Sequence, residues 1–591
     1  VPGTAHVRRV AVTLPPGATI SPSAGNRLQA CTDAQLAAGT HDPVGCPAGS
    51  RVGAVSITSP LVPEPLTGAV YAGEPQPGNR YRLFLVADGR GVTVRLKGSV
   101  RPDPATGQLT TVFDDNPQLP FTALDIALDG GPHAVIAAPQ GCGAAGGAVA
   151  YDPWSGTTPV GAPASIEVNG CDGQAFAPGF GASLSSAKAR ASGAFTASIS
   201  RPDGQQFLSG VRVALPPGLL ATLKGVPRCG EAAAAAGACP AASRIGTATT
   251  RSGPGPDPLA LSGPAYLTGP YRGAPFGMVT VIHAVAGPYD LGTVVVRQAL
   301  HIDPTDAHVT VESDPLPQIL EGVPLRLREV SLSVDRPGFM LNPTACAPGR
   351  VGADLTSAVG TAASGAAELA FTGCDALAFA PKLQVRLTGK RRDLRVGKHP
   401  GVAARLTQRA GQANIRQVAV TLPKSLALDP DNAQALCEYA EAIKVDPNCP
   451  RTSIVGSATA VTPILDQPLK GPVYFAKNVR VSSSGRTIRT LPMLVVPLRG
   501  EGVKLNLRGT TAVSPTSRLV TTFATVPDAP VTRFDLAIKG GKRGILVASH
   551  KVCARSRVAQ LALDAHSGKR LRKAPKLPAA CKKKKAARKQ K

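Results

Sequence analysis

Twelve cysteines and nine histidines are the residues of this 591-residue chain best suited to chemistry, and their spacing separates the options. The cysteines fall into three sets of four: Cys31, Cys46, Cys142 and Cys171; Cys229, Cys239, Cys346 and Cys374; Cys437, Cys449, Cys553 and Cys581. Zinc sites need close CxxC or CxxH pairs, and the chain has neither these nor a CxxCH haem attachment. An even count at regular spacing reads instead as disulfides made in an oxidising compartment. Four cysteines allow three pairings. The local one, first with second and third with fourth, is favoured because the gap within a pair changes between sets while the pair persists. Each staple closes a short loop, worth roughly 3 kcal/mol in the chain-entropy account.

The histidines do not recur at equivalent positions, as a repeated active site would require. HExxH, the GxSxG nucleophile elbow, the P-loop and a GxGxxG after a strand are all absent. No acidic pair of the kind used in glycoside chemistry is kept from set to set. Asp125 and Asp535 do match, within LDIAL and FDLAI, and alternation places them on one strand face in a solvent-facing or structural role. Asp429, Asp431 and Asn432 bring oxygens close together, but they lack the third acid and the glycine of a calcium loop. Asx-turn use is the expectation there. The sequence therefore predicts no catalytic residue, no metal and no cofactor.

The elements that hold these cysteines repeat with them. Stepping from one set to the next moves each cysteine by about 200 residues, so the chain is three tandem copies of one unit: 1–172, 173–375 and 376–581, followed by a basic tail, 582–591. Each copy carries an alternating strand ending in a proline turn (RVAVTLPPG, VRVALPPG, QVAVTLPKS). A short stretch between its first two cysteines reads as one or two helical turns stapled at both ends. Next come SRVGAV, SRIGTA or SIVGSA, and then LTGAVY, LSGPAY or LKGPVY, which place Tyr71, Tyr266 and Tyr474 alike, as half-buried core residues with the hydroxyl at the edge. Gly130 and Gly131 match Gly540 and Gly541 as a predicted hairpin turn. Nine to twelve short strands per copy with frequent turn signals, and no long amphipathic helix, predict an all-β fold: three disulfide-stapled repeats, each one large or two small antiparallel β-sandwiches of Ig-like type.

Copies two and three open with a lead-in, FAPGFGASLS from Phe176 and FAPKLQVRLTG from Phe379, that copy one lacks. Copy one is thus expected to miss its opening strands, and truncation of a longer repeat protein is a simpler account than strand exchange. No apolar run reaches membrane-spanning length and no signal peptide is present. A chain that starts at Val1 is read as a processed product or a fragment whose export signal lies elsewhere.

The ordered set VTLPPG, CP-x-x-S-x-[IV]-G, GPVY, LTT-x-F with PQLPF, and PWSG resembles large repeat proteins secreted by soil actinobacteria. PQLPF and PWSG are intact only in copy one. The resemblance spans essentially the whole chain and implies an exported, cell-envelope-associated repeat architecture with no established enzymatic activity.

Charge is uneven. Residues 381–591 hold 41 Lys and Arg against 11 Asp and Glu, whereas residues 1–380 hold 24 against 27. A basic end of this kind suits an anionic cell-wall polymer or a membrane surface, with Lys582, Lys583, Lys584, Lys585, Arg588, Lys589 and Lys591 as the expected envelope contacts. Nucleic acid is not expected, because helix, zinc and aromatic RNA-binding signatures are missing. The leading expectation is a non-enzymatic extracellular structural or adhesive protein, a stalk or surface component. The alternatives are a subunit of a homopolymeric filament or surface layer, and a carbohydrate-binding or carbohydrate-active protein. The last would want exposed aromatic platforms, and one Trp with eight Tyr supplies few.

Overall fold

The computed structural model describes residues 3–40, 42–171, 174–481, 486–554 and 557–581. Each repeat is built on one continuous antiparallel sheet, which decides between the one-sandwich and two-sandwich expectations. In repeat 2 eleven strands lie in the order Gly179–Leu184, Phe195–Ser200, Leu327–Val334, Arg244–Ser252, Leu259–Thr268, Phe276–Ala286, Tyr289–Ile302, Val309–Ser313, Leu208–Ala214, Gly349–Ser357 and Ala362–Leu369. The sheet curls until its first strand lies against its last. The approach is close: a Cβ on Gly365 would stand 2.6 Å from Cβ of Phe180. Alternating side chains turned inward then form the core, with Leu355, Val351 and Phe195 among them.

Repeat 3 keeps the same order, from the opening hairpin Lys382–Thr388 and Gly401–Thr407, through Arg533–Ile538, to Gln560–Ala565 and Arg570–Lys573. Repeat 1 has nine strands. Its sheet runs from Val160–Val168 and Gly143–Pro153 across to Arg51–Thr58 and ends at Ala123–Leu128, with no counterpart of the opening hairpin among the described residues.

The repeated motifs have local physical causes. In CP-x-x-S-x-[IV]-G the hydroxyls of Ser50, Ser243 and Ser453, all fully buried, donate to the carbonyls of Pro47, Pro240 and Pro450 at 2.6–2.7 Å. This closes a short 3-10 turn before the strand. The glycine that ends the motif lets backbone pass backbone: a Cβ at Gly53, Gly246 or Gly456 would come within 2.5, 2.2 or 2.1 Å of a carbonyl oxygen on the neighbouring strand. A bulge lies at the same place in all three copies.

The Gly130–Gly131 and Gly540–Gly541 turns need correcting. Gly131 and Gly541 do take positive φ, 90° and 73°, but the strands on either side do not pair with each other. Ala123–Leu128 pairs with Arg51–Thr58, whereas Ile136–Ala137 pairs with Thr19–Ile20. The turn is a crossover that carries the chain away from the main sheet into a two-stranded ribbon, and repeat 3 does the same with Leu546–Ala548 and Leu426–Leu428. Alternation shows that a strand follows a turn but not which strand it pairs with.

Candidate functional site

The six disulfides join neighbours in each set: Cys31–Cys46, Cys142–Cys171, Cys229–Cys239, Cys346–Cys374, Cys437–Cys449 and Cys553–Cys581. The first bridge of each repeat spans one helical turn, Asp33–Leu36, Glu231–Ala235 or Tyr439–Ala442. Its first cysteine donates its N–H to Ala72, Leu267 or Phe475 on the strand that carries the repeated tyrosine. Tyr71, Tyr266 and Tyr474 are half-buried and pack against these staples. The second bridge ties the two ends of the closing hairpin, for example Gly349–Ser357 with Ala362–Leu369.

Side chains that give no repeat signal in the sequence pin the repeats to one another. Between repeats 1 and 2, Arg326 is 7% exposed, and its guanidinium donates to Ala138 O at 3.0 Å, Gly17 O at 3.3 Å and Thr19 Oγ1 at 3.3 Å. Burial holds the Arg326 pKa below its usual value. Beside it Tyr81 and Tyr289 meet edge to face, 5.2 Å between centroids. Their hydroxyls donate to Glu321 O and Gly73 O across the junction. Between repeats 2 and 3, Asp528 is 3% exposed. Its carboxylate accepts from Thr344 N at 2.8 Å, Thr344 Oγ1 at 2.6 Å, Ala345 N at 3.0 Å and Asn414 Nδ2 at 2.8 Å. Leu223 and Lys224 both donate to Ile464 O, and Arg228 pairs with Glu501 at 2.5 Å. Both junctions use the same places: the residues just before the third cysteine of one repeat meet the segment that leads into the third strand of the next, Leu327–Val334 or Arg533–Ile538. The sequence offers a trace of this in Asp528, an acid inside the otherwise apolar TVPDAPV; Arg326 sits in a segment unique to repeat 2.

Three of the candidates for acid or metal chemistry, Asp535, Asp429 and Asn432, make structural contacts. Asp535 accepts from Arg405 Nε at 2.5 Å and pairs with Arg533 at 3.1 Å. Asp125 is exposed. Asp429 meets His399 Nε2 at 2.8 Å, and Asn432 donates to Gly541 O and Gly544 O, so these residues tie loops together. One group that the sequence reading did not single out, Asp303, Asp306 and His308, brings its ligand atoms within 4.8 Å of one another. It forms a strand-to-strand turn in which Asp303 Oδ1 accepts from Thr305 N and Asp306 N. Asp103 does the same in repeat 1. A cavity of about 300 Å³ lies between repeat 3 and the adjoining face of repeat 2, one of about 230 Å³ lies inside repeat 2, and no ionisable side chain lines either. Trp154, 40% exposed, donates its Nε1 to Asn116 O.

Positive charge collects where the chain nears its last bridge. Arg391, Arg392, Arg395 and Lys398 are exposed on one loop, Lys542 and Arg543 on another, and Lys551 just past the strand Leu546–Ala548 that follows it. Backbone hydrogen bonds from Gly397 N to Ala548 O, Ala548 N to Lys398 O and Gly541 N to His399 O hold the two loops together. The expected contacts Lys582, Lys583, Lys584, Lys585, Arg588, Lys589 and Lys591 follow directly after Cys581 and lie outside the described residues.

No protein-family profile and no curated protein matches the chain. Among solved structures, a tetra-tandem repeat from the extending region of a large adhesion protein is 9% identical, with 90% of this chain and 92% of that one covered at a TM-score of 0.15. A membrane-anchored protein from Corynebacterium diphtheriae is 10% identical, covering 89% and 94% at a TM-score of 0.14. A calcium-stabilised, ice-binding adhesin of an Antarctic bacterium is 10% identical, covering 84% and 92% at a TM-score of 0.12. Superpositions this loose carry no weight.

Proposed function

We propose that the protein is a non-enzymatic, extracellular structural or adhesive repeat protein whose basic C-terminal end contacts an anionic cell-wall polymer or membrane surface. The observation that carries this reading is the pair of junctions. Arg326 and Asp528, both buried and multiply hydrogen-bonded between repeats, fix each repeat on the next, as a stalk requires. Six local disulfides support an oxidising, extracellular setting. The basic loops beside Cys553–Cys581 support an electrostatic end. The test is sedimentation with anionic vesicles or isolated wall polymer. The intact chain should co-sediment at low salt and be released as ionic strength rises, and deletion of 582–591 should weaken the association. Salt-independent association unaffected by the deletion would remove the contact role. A homopolymeric filament or surface layer is the second reading; light scattering that shows only monomers at high concentration would dismiss it.

A further inference from the structure

One wall of the cavity inside repeat 2 differs from its counterparts in the other repeats. Strand pairing places Gln298 opposite Met278 on one side and Ser313 on the other, and Thr280 lies two residues beyond Met278 on the same strand. The same places hold Gly98, Phe113 and Leu85 in repeat 1, and Gly509, Phe523 and Val496 in repeat 3. In those repeats the phenylalanine ring covers the glycine: a Cβ on Gly98 would stand 2.4 Å from the Phe113 ring, and one on Gly509 would stand 2.7 Å from the Phe523 ring. Repeat 2 exchanges two apolar side chains and a glycine for two hydroxyls and an amide. All three, Thr280, Gln298 and Ser313, line its cavity of about 230 Å³.

The exchange leaves polar atoms unpaired. Gln298 is 8% exposed, and its Nε2 donates to Thr280 Oγ1 at 3.3 Å. Its Oε1 and the Oγ of Ser313 are buried and make no hydrogen bond among the described residues. Burying a polar atom without a partner is costly, and two such atoms side by side on neighbouring strands point to a ligand that joins them. Gln298 and Ser313 stand directly opposite in register, which sets their Cβ atoms about 5 Å apart. A single hydroxyl between the two side chains can donate to Gln298 Oε1 and accept from Ser313 Oγ.

Charge and size narrow the class of ligand. Most of the remaining lining is apolar, Phe195, Ile199, Leu219 and Leu325 among it, and none of it is ionisable, so a charged group would leave water with nothing to pair it. Scaled from the roughly 150 Å³ that accommodates benzene, the cavity takes about nine non-hydrogen atoms. We propose that repeat 2 carries a binding site for a neutral, hydroxyl-bearing hydrocarbon of about eight carbon atoms, held with its hydroxyl between Gln298 and Ser313 and its chain among the apolar side chains on the inner face of the sheet. The site rests on repeat 2 alone and is independent of the basic end of the chain.

The test is isothermal calorimetry of the intact chain with 1-octanol and with heptyl methyl ether, which matches it in size but has no donor. The alcohol should bind saturably and about fivefold more tightly than the ether, the scale of one neutral hydrogen bond. Gln298→Met keeps the volume and removes the acceptor, so it should weaken alcohol binding about fivefold and leave the ether unchanged. Gln298→Gly with Ser313→Phe rebuilds the arrangement of repeats 1 and 3, and should remove one binding equivalent while the chain melts like the parent. Should that double variant fail to fold, Gln298→Met alone decides. Equal affinity for alcohol and ether that Gln298→Met leaves unchanged would overturn the proposal, the polar pair then holding ordered water only. So would the absence of saturable alcohol binding, or alcohol binding undiminished in a folded double variant, which would put the ligand elsewhere.

Discussion

At the level of single residues, ionisable groups hold loops together. The Arg82 guanidinium, with Lys97 beside it, holds the Asp33 carboxyl down to about 2 from an unfolded value of 3.8. Arg82 is itself 5% exposed and stacks 4.8 Å from the Phe84 ring centroid. Because the folded value lies below the unfolded one, the pair stabilises the fold fully above about pH 4, and its contribution fades as the pH falls toward 2. Asp33→Asn should therefore lower the melting temperature at pH 7, with the difference from the parent shrinking between pH 4 and pH 2 in parallel thermal scans. Asp33 is visible in the sequence only as the residue after Cys31-Thr32. Its partners on strands 49 and 64 residues away could not be read there, because strand register is a tertiary property. The cysteine pairs were legible because each bridge closes a short local loop.

At the level of elements the stapled excursion and the junction are the units to test. Removing one staple, as in Cys229→Ala with Cys239→Ala, should cost about 3 kcal/mol of unfolding free energy, measured by denaturant titration under non-reducing conditions. The excursion was legible because cysteines bracket a polar, alanine-rich stretch; the hidden part was its docking, which runs through backbone N–H groups that any residue could supply. Asp528→Ala removes one acceptor and strands several buried donors at once. A loss of about 1–3 kcal/mol is expected, along with a broader distribution of end-to-end distances in small-angle scattering of the full chain. Asp528→Asn should keep part of both, since one carbonyl oxygen still accepts. An unchanged scattering profile for the alanine variant would mean that apolar packing at the junction suffices.

For the whole molecule, the three repeats share one fold and differ in charge, with dense positive charge in repeat 3. Raising ionic strength from about 0.05 to 0.5 M should abolish association with anionic surfaces while leaving the melting temperature nearly unchanged, because screening acts on exposed charges and spares buried pairs. The sequence by itself determined the all-β class, the threefold recurrence of motifs, the local disulfides and the charge gradient. All of these are periodic or compositional properties carried by residues close together in the chain. Only the tertiary structure decided that each repeat is built on a single main sheet, that Gly131 and Gly541 start crossovers rather than hairpins, and that Arg326 and Asp528 lie buried in the junctions. The physical reason is that strand pairing and burial depend on which distant backbone lies alongside, and alternation along one strand is the same whichever neighbour it meets.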